Sequence, residues 1–224
     1  HRSKLFKDAA SGYGLICEPT RLGVVYAHKG SLSIRATAKG KAAHTSTLKG
    51  KNANLDMIPF LVEMKKINEL VLTSKRYRND AFTPPHSEWS IGINDHNLAT
   101  NIYPVTSTCT VNYRPMPGTN IDTLLERTKK AAKKCGVQLE IVRPGDGVYT
   151  DPSSPFVATA LKVSGLRKAR TVPYGTDGLA YRVKMDNLVV LGPGDIAQAH
   201  IVDEWVEVDQ LKKGVKLYER FIYY

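Results

Sequence analysis

Five side chains of chemically useful type sit beside glycine- or proline-marked breaks in this sequence. They are Glu18 before Pro19, His28 two residues before Gly30, His44, Asp177 after Gly175-Thr176, and His200 beyond Gly192-Pro193-Gly194. Carboxylates and imidazoles ligate metals and move protons, and loops next to such breaks are where binding and catalytic groups concentrate. Short-range spacing adds nothing more. There is no His-Glu-x-x-His pair, no Asp-rich calcium loop, and no Walker lysine to make Gly192-Pro193-Gly194 a phosphate cradle. Cys17, Cys109 and Cys135 are odd in number and lack Cys-x-x-Cys spacing, which excludes a disulfide framework and a thiolate zinc site. They fit small buried side chains in a reducing, cytoplasmic compartment.

The elements that must position these groups follow from periodicity. Residues 31–38 alternate as a half-buried strand, and Val24–Ala27 form a separate strand candidate. From about Asn52 to Ser74, Leu55, Ile58, Leu61, Val62, Met64, Ile67 and Leu70 recur at helical spacing, with Pro59 expected to kink or shorten that helix. Strands are predicted at 89–93 and 105–113. A helix capped by Thr119 and closed by Gly136 follows, then a strand over 137–141. The order β-α-β-β-α-β is that of a ferredoxin-like α+β domain, placed at residues 29–147. Its flanks, 1–28 and 148–224, alternate α and β pieces and predict parts of one α/β domain into which the middle segment is inserted.

Length and charge agree with this division. The chain has 224 residues, more than one small module and fewer than two full ones. Of the net charge of +11, the middle segment holds +8, with 18 basic and 10 acidic side chains. Its densest run, Arg127, Lys129, Lys130, Lys133 and Lys134, has the spacing of one solvated helix face. No apolar run is long enough to span a membrane. The start at His1-Arg2-Ser3-Lys4 lacks Met and is expected to be a processed, cleaved or cloned one.

Seven segments in order resemble the two-zinc metallopeptidases, the family of acetylornithine deacetylase, succinyl-diaminopimelate desuccinylase and the glutamate carboxypeptidases. They are Glu18-Pro19-Thr20, His28-Lys29-Gly30, Ala43-His44-Thr45-Ser46 with Gly50-Lys51-Asn52-Ala53, Thr100-Asn101-Ile102-Tyr103-Pro104, Tyr113-Arg114-Pro115-Met116-Pro117-Gly118, Gly175-Thr176-Asp177, and Gly192-Pro193-Gly194 through His200 and Asp203-Glu204. His28-Lys29-Gly30 and Gln198-Ala199-His200 look most like acetylornithine deacetylase. Thr47 stands where the family often has Pro, and Gly178 where Ala is common.

The resemblance implies a zinc-peptidase α/β catalytic domain with an inserted dimerisation and lid domain. It also implies hydrolysis of an amide bond in an N-acyl amino acid or dipeptide bearing a carboxylate, and a homodimer formed through the inserted domain. The cofactor implied is Zn²⁺, two ions per intact active site, or Co²⁺ in their place. Glu18 and His200 match one ligand to each metal. His44 matches a histidine that the inserted domain presents to the partner subunit's site, where a neutral donor stabilises a tetrahedral oxyanion. Asn101 and Arg114 match groups that hold the substrate, and Gly175 and Thr176 match a loop that donates to it. His28 stays open between strand support and function, and Asp177 between function and helix capping.

The family's His-x-Asp motif, bridging aspartate and adjacent glutamates have no counterpart. Residues 1–17 offer only Asp8 and His1. One ligand per zinc falls short of the three or four that chelation takes, so the chain alone is expected to be inactive, as an amino-terminally truncated form. The alternative is a dimerisation or interaction module without catalysis. Nucleic acid is not the expected partner, because the sheet lacks paired stacking aromatics.

Overall fold

A computed structural model of the chain describes residues 3–97 and 99–223; His1 lies outside the described residues. In chain order the elements begin with α1 (Lys4–Ala9), β1 (Tyr13–Ile16), β2 (Val25–Lys39), α2 (Ala53–Thr73) and β3 (Ser90–Asn94). Next come β4 (Thr106–Tyr113), α3 (Asp122–Cys135) and β5 (Gln138–Tyr149). The last are α4 (Pro155–Ser164), β6 (Arg170–Val172), α5 (Gly178–Tyr181), β7 (Asn187–Val190) and α6 (Val208–Ile222). The chain divides into two compact units, one of His1–Gly30, Ala81–Thr83 and Gly145–Tyr224, the other of Ser31–Asp80 and Pro84–Pro144.

In the second unit β2 pairs antiparallel with β4 from Leu32↔Tyr113 to Lys39↔Thr106, and β3 pairs antiparallel with β4. Since β5 pairs with β2, the sheet order is β5-β2-β4-β3, the split β-α-β arrangement predicted from the alternation. Helices α2 and α3 pack together over it, around Leu32, Ile34, Phe60, Met64, Ile67, Trp89, Val111 and Leu124.

The long helix runs from Ala53 to Thr73 with Pro59 inside it, so the proline does not shorten it. Pro59 costs about 3 kcal/mol in a helix interior. Burial of Met57, Phe60, Met64, Ile67 and Val71 outweighs it, at roughly 1.5–3 kcal/mol each. The cap of α3 also differs, since Ile121 rather than Thr119 takes the cap position with no side-chain cap bond, and Asn120 before it accepts from the Asp122 N–H at 2.8 Å. Gly136 closes that helix at φ +65°, as its position predicts. Of the basic run, Lys129, Lys130, Lys133 and Lys134 are exposed, whereas Arg127 turns to Glu63 of α2 and holds that carboxyl below the usual carboxylate range.

Cys109 is buried in this core, and burial pushes its thiol up to about 11. Alkylation of the native chain at pH 8 is therefore expected at exposed Cys17 and not at Cys109, a difference that peptide mass mapping reads. The same shift contributes stability that is fully present below about pH 9, the unfolded thiol value, and is lost as pH rises toward about 11.

In the first unit β1 and β7 are parallel in the register Tyr13↔Asn187 to Ile16↔Val190, Val25 of β2 pairs antiparallel with Val190, and β6 runs parallel to β2. Helices α4 and α6 cover β7 around Val24, Phe156, Val157, Ala160, Val189, Leu191 and Leu217. The two strand candidates at 24–27 and 31–38 are one strand. His28 and Lys29, polar by type, are 0% and 3% exposed and continue its run.

Candidate functional site

In the first unit, Glu18 and His200 both lie in loops that follow β1 and β7. These are the carboxyl ends of a parallel strand pair, where α/β sheets bind ligands. The turn after Glu18 is clamped to the loop after β7. Main-chain N–H groups of Thr20 and Leu22 donate to the Gly192 carbonyl at 3.1 and 2.9 Å, and Arg21 N–H donates to the Gly194 carbonyl at 2.7 Å. The buried Thr20 hydroxyl accepts from Gly192 N–H at 3.1 Å and donates to the Gly23 carbonyl at 2.8 Å. Across the same junction Arg21 pairs with Asp195 at 3.1 Å.

Gly192 is obligatory in this clamp, because a Cβ there would stand 2.5 Å from the Glu18 carbonyl oxygen and 2.8 Å from the Cys17 carbonyl carbon. Gly192→Ala is expected to displace the Glu18 turn and destabilise the chain by about 2–4 kcal/mol, read by urea denaturation.

Tyr174 is a neighbour of Glu18 that none of the sequence motifs singles out. Its hydroxyl donates to the Pro19 carbonyl at 3.2 Å. Burial raises its pKa; Arg170 opposes the shift, and the carboxylates of Glu18 and Asp195 add to it. His200 is exposed at φ +64°, and its main-chain N–H donates to Glu204 at 3.1 Å. Among the described residues no group of three or more His, Cys, Asp or Glu is placed to hold a metal. Glu18 and His200 alone do not fit a chelating zinc site.

Beyond β6, Thr176 is buried and Asp177 exposed. Asp177 occupies the cap position of α5 without a side-chain cap bond, and Thr176 Oγ1 accepts from Gly178 N–H at 3.1 Å instead. Thr176 Oγ1 also lies 2.9 Å from Nε2 of the buried His28. Gly175 precedes it and is half-buried.

In the second unit, His44 and Asn101 come together. His44 bridges Ile102, Thr45 N–H donates to the Asn101 carbonyl at 2.9 Å, and Tyr103 OH donates to the Thr45 carbonyl at 3.2 Å. His44 Nδ1 accepts from Ser46 N–H at 3.3 Å and lies 2.7 Å from Ser46 Oγ. A main-chain N–H can only donate, so Nδ1 is bare and the neutral ring carries its proton on Nε2. His44 is exposed, and its free nitrogen is a neutral donor.

Arg114 stands elsewhere. It follows the last residue of β4, whereas Asn101 precedes the first. The eight residues of β4 itself span about 25 Å at roughly 3.3 Å each. Arg114 and the His44–Asn101 pair thus stand on opposite sides of β4 in the chain.

Comparison with known proteins gives this geometry a family. The model of the peptidase dimerisation domain matches residues 26–139. The chain is 30% identical to acetylornithine deacetylase of Myxococcus xanthus over 89% of its own length and 54% of that protein's. It is 31% identical to acetylornithine deacetylase of Proteus mirabilis over 88% and 52%. It thus spans about half the length of the curated relatives it matches. Among solved structures, an M20 family metallo-carboxypeptidase of Sulfolobus solfataricus superposes with a TM-score of 0.67 at 18% identity, over 97% of this chain and 65% of that one. Aminopeptidase PepT of Bacillus cereus superposes with a TM-score of 0.68 at 18% identity, over 94% and 56%. At such identities the structural likeness speaks to fold, and the domain match settles membership. The chain belongs to the M20 peptidase family, whose dimerisation domain occupies its residues 26–139.

Proposed function

We propose that this chain forms the dimerisation domain and part of the catalytic domain of a metal-dependent hydrolase that cleaves the amide bond of an N-acyl amino acid or dipeptide. The observation that carries the reading is His44, whose ring is held by Ser46 as a neutral Nε2–H donor beside Asn101. Such a donor stabilises the oxyanion of amide hydrolysis at no reorganisation cost. Arg114 offers a planar two-pronged donor for a substrate carboxylate, and Gly175 and Thr176 line the substrate. Glu18 and His200 stand as single candidate ligands toward two Zn²⁺ or Co²⁺ ions, and other residues than those described must complete that centre.

The working form is a homodimer whose sites are shared. Strand β3 pairs only with β4 among the described residues, leaving an edge that exposes Ile93. On α2 Leu55, Ile58 and Val62 are exposed three and four residues apart, and a groove lined by Met57, Ile58, Leu61 and Ile93 joins helix to edge. Edge-to-edge pairing across a twofold axis buries these residues. It also lets one copy supply His44 and Asn101 to a substrate held by Arg114 of the other. No helix among the described residues is long and apolar enough to cross a membrane, and a cytoplasmic enzyme is the proposed setting.

The first unit leaves room for more chain. Among the described residues β1 pairs along one edge only, and α6 exposes Val208, Leu211 and Val215. The test supplies in trans the portion of a relative such as the Myxococcus xanthus acetylornithine deacetylase that this chain does not match. Zinc-dependent release of acetate from N-acetylornithine or of amino acids from dipeptides, absent from either piece alone, is the expected result. Dimerisation without any turnover across that panel would favour a non-catalytic module, the second reading.

A further inference from the structure

We propose that His28 is a positioning residue for the loop carrying Gly175 and Thr176, and that it acts by accepting the hydrogen bond of the Thr176 hydroxyl. Only the consequence for substrate rests on the function proposed above; the hydrogen-bond chain stands on its own geometry. His28 is fully buried in β2, Thr176 is 7% exposed, and His28 Nδ1 lies 2.8 Å from the Lys29 carbonyl. A carbonyl oxygen can only accept, so Nδ1 carries a proton. A wholly buried imidazole is least costly when neutral, which leaves Nε2 bare. Nε2 is 2.9 Å from Thr176 Oγ1, so the hydroxyl donates to it, and Oγ1 meanwhile accepts from Gly178 N–H at 3.1 Å.

With the ring in that neutral tautomer the directions of the relay follow. Gly178 N–H gives to Thr176 Oγ1, Thr176 O–H to His28 Nε2, and His28 Nδ1–H to the Lys29 carbonyl. Thr176 has one proton, and it points into the fold. A substrate at this loop does not receive that hydroxyl; Thr176 serves by fixing the first turn of α5, and His28 by fixing Thr176. Gly178 keeps the space for this contact, since a Cβ there would sit 3.0 Å from Thr176 Oγ1 and 3.2 Å from His28 Nε2.

Nitrogen-15 NMR of the full chain, labelled at histidine, tests the relay. The expected spectrum shows His28 neutral, with Nδ1 protonated and Nε2 not. Thr176→Val is expected to move the Nε2 resonance toward that of an unbonded nitrogen, and Thr176→Ser to leave it in place. Amide exchange at Gly178 is expected to speed up at least about tenfold in Thr176→Val and His28→Ala, and to return to within about threefold of the parent in Thr176→Ser. An imidazolium, the Nε2–H tautomer, or Gly178 exchange indifferent to Thr176→Val would each overturn the proposal. The unsubstituted chain's spectrum decides the tautomer even where a variant fails to fold. None of these readouts needs turnover, so the relay and the hydrolase reading fail separately.

Discussion

Ile93→Lys in the edge strand is expected to turn the dimer into a monomer, weakening association by about two orders of magnitude or more. Ile93 is 63% exposed in the isolated chain, so the substitution disturbs little inside a copy, and its own stability should hold within about 0.5 kcal/mol. In a twofold interface the change is made twice. Each lysine removes an apolar contact worth roughly 1–2 kcal/mol and brings a charge toward its symmetry mate. Light scattering coupled to size exclusion, with thermal denaturation as control, reads both sides. A dimer that survives Ile93→Lys unchanged would place the interface somewhere other than the β3 edge.

The second large effect concerns sharing of the site. In the hydrolytic assembly, His44→Ala and Arg114→Ala are each expected to lower kcat/KM by about 10²–10³-fold, the range for losing an oxyanion donor or a bidentate carboxylate contact. Mixing the two variants should restore activity. In a mixed dimer, one site draws Arg114 from one copy and His44 from the other, both intact, while the second site lacks both. Random exchange makes half the dimers mixed, so about a quarter of the parent activity returns. No recovery on mixing would mean that both residues serve one site from one copy.

Much of this architecture is legible in the sequence because its signals are local. The alternation at 106–113, the helical spacing at 53–73 and the βαββαβ order emerge from neighbours a few residues apart. The junction at His28 and Lys29 is misread as a gap because residue type suggests exposure, while burial rests on distant pairing with Val172. The site is legible as residue identity and not as state. Which nitrogen of His44 carries the proton depends on Ser46, two residues on. The clamp on the Glu18 turn joins Thr20 to Gly192, 172 residues away, and no periodicity records it. Tyr174 is hidden for the same reason, since its contact with Pro19 crosses 155 residues.

The length of β4 also sets a dose law. On the shared-site proposal, with Asn101 before β4 and Arg114 after it, a working site needs two chains, and output below the dissociation constant is expected to rise with the square of chain concentration. A cell that halves its supply there loses three quarters of its turnover. On that proposal, copies that lack both His44 and Arg114 but still pair would silence both sites of a mixed dimer, so expression level and mixed alleles would both matter to activity.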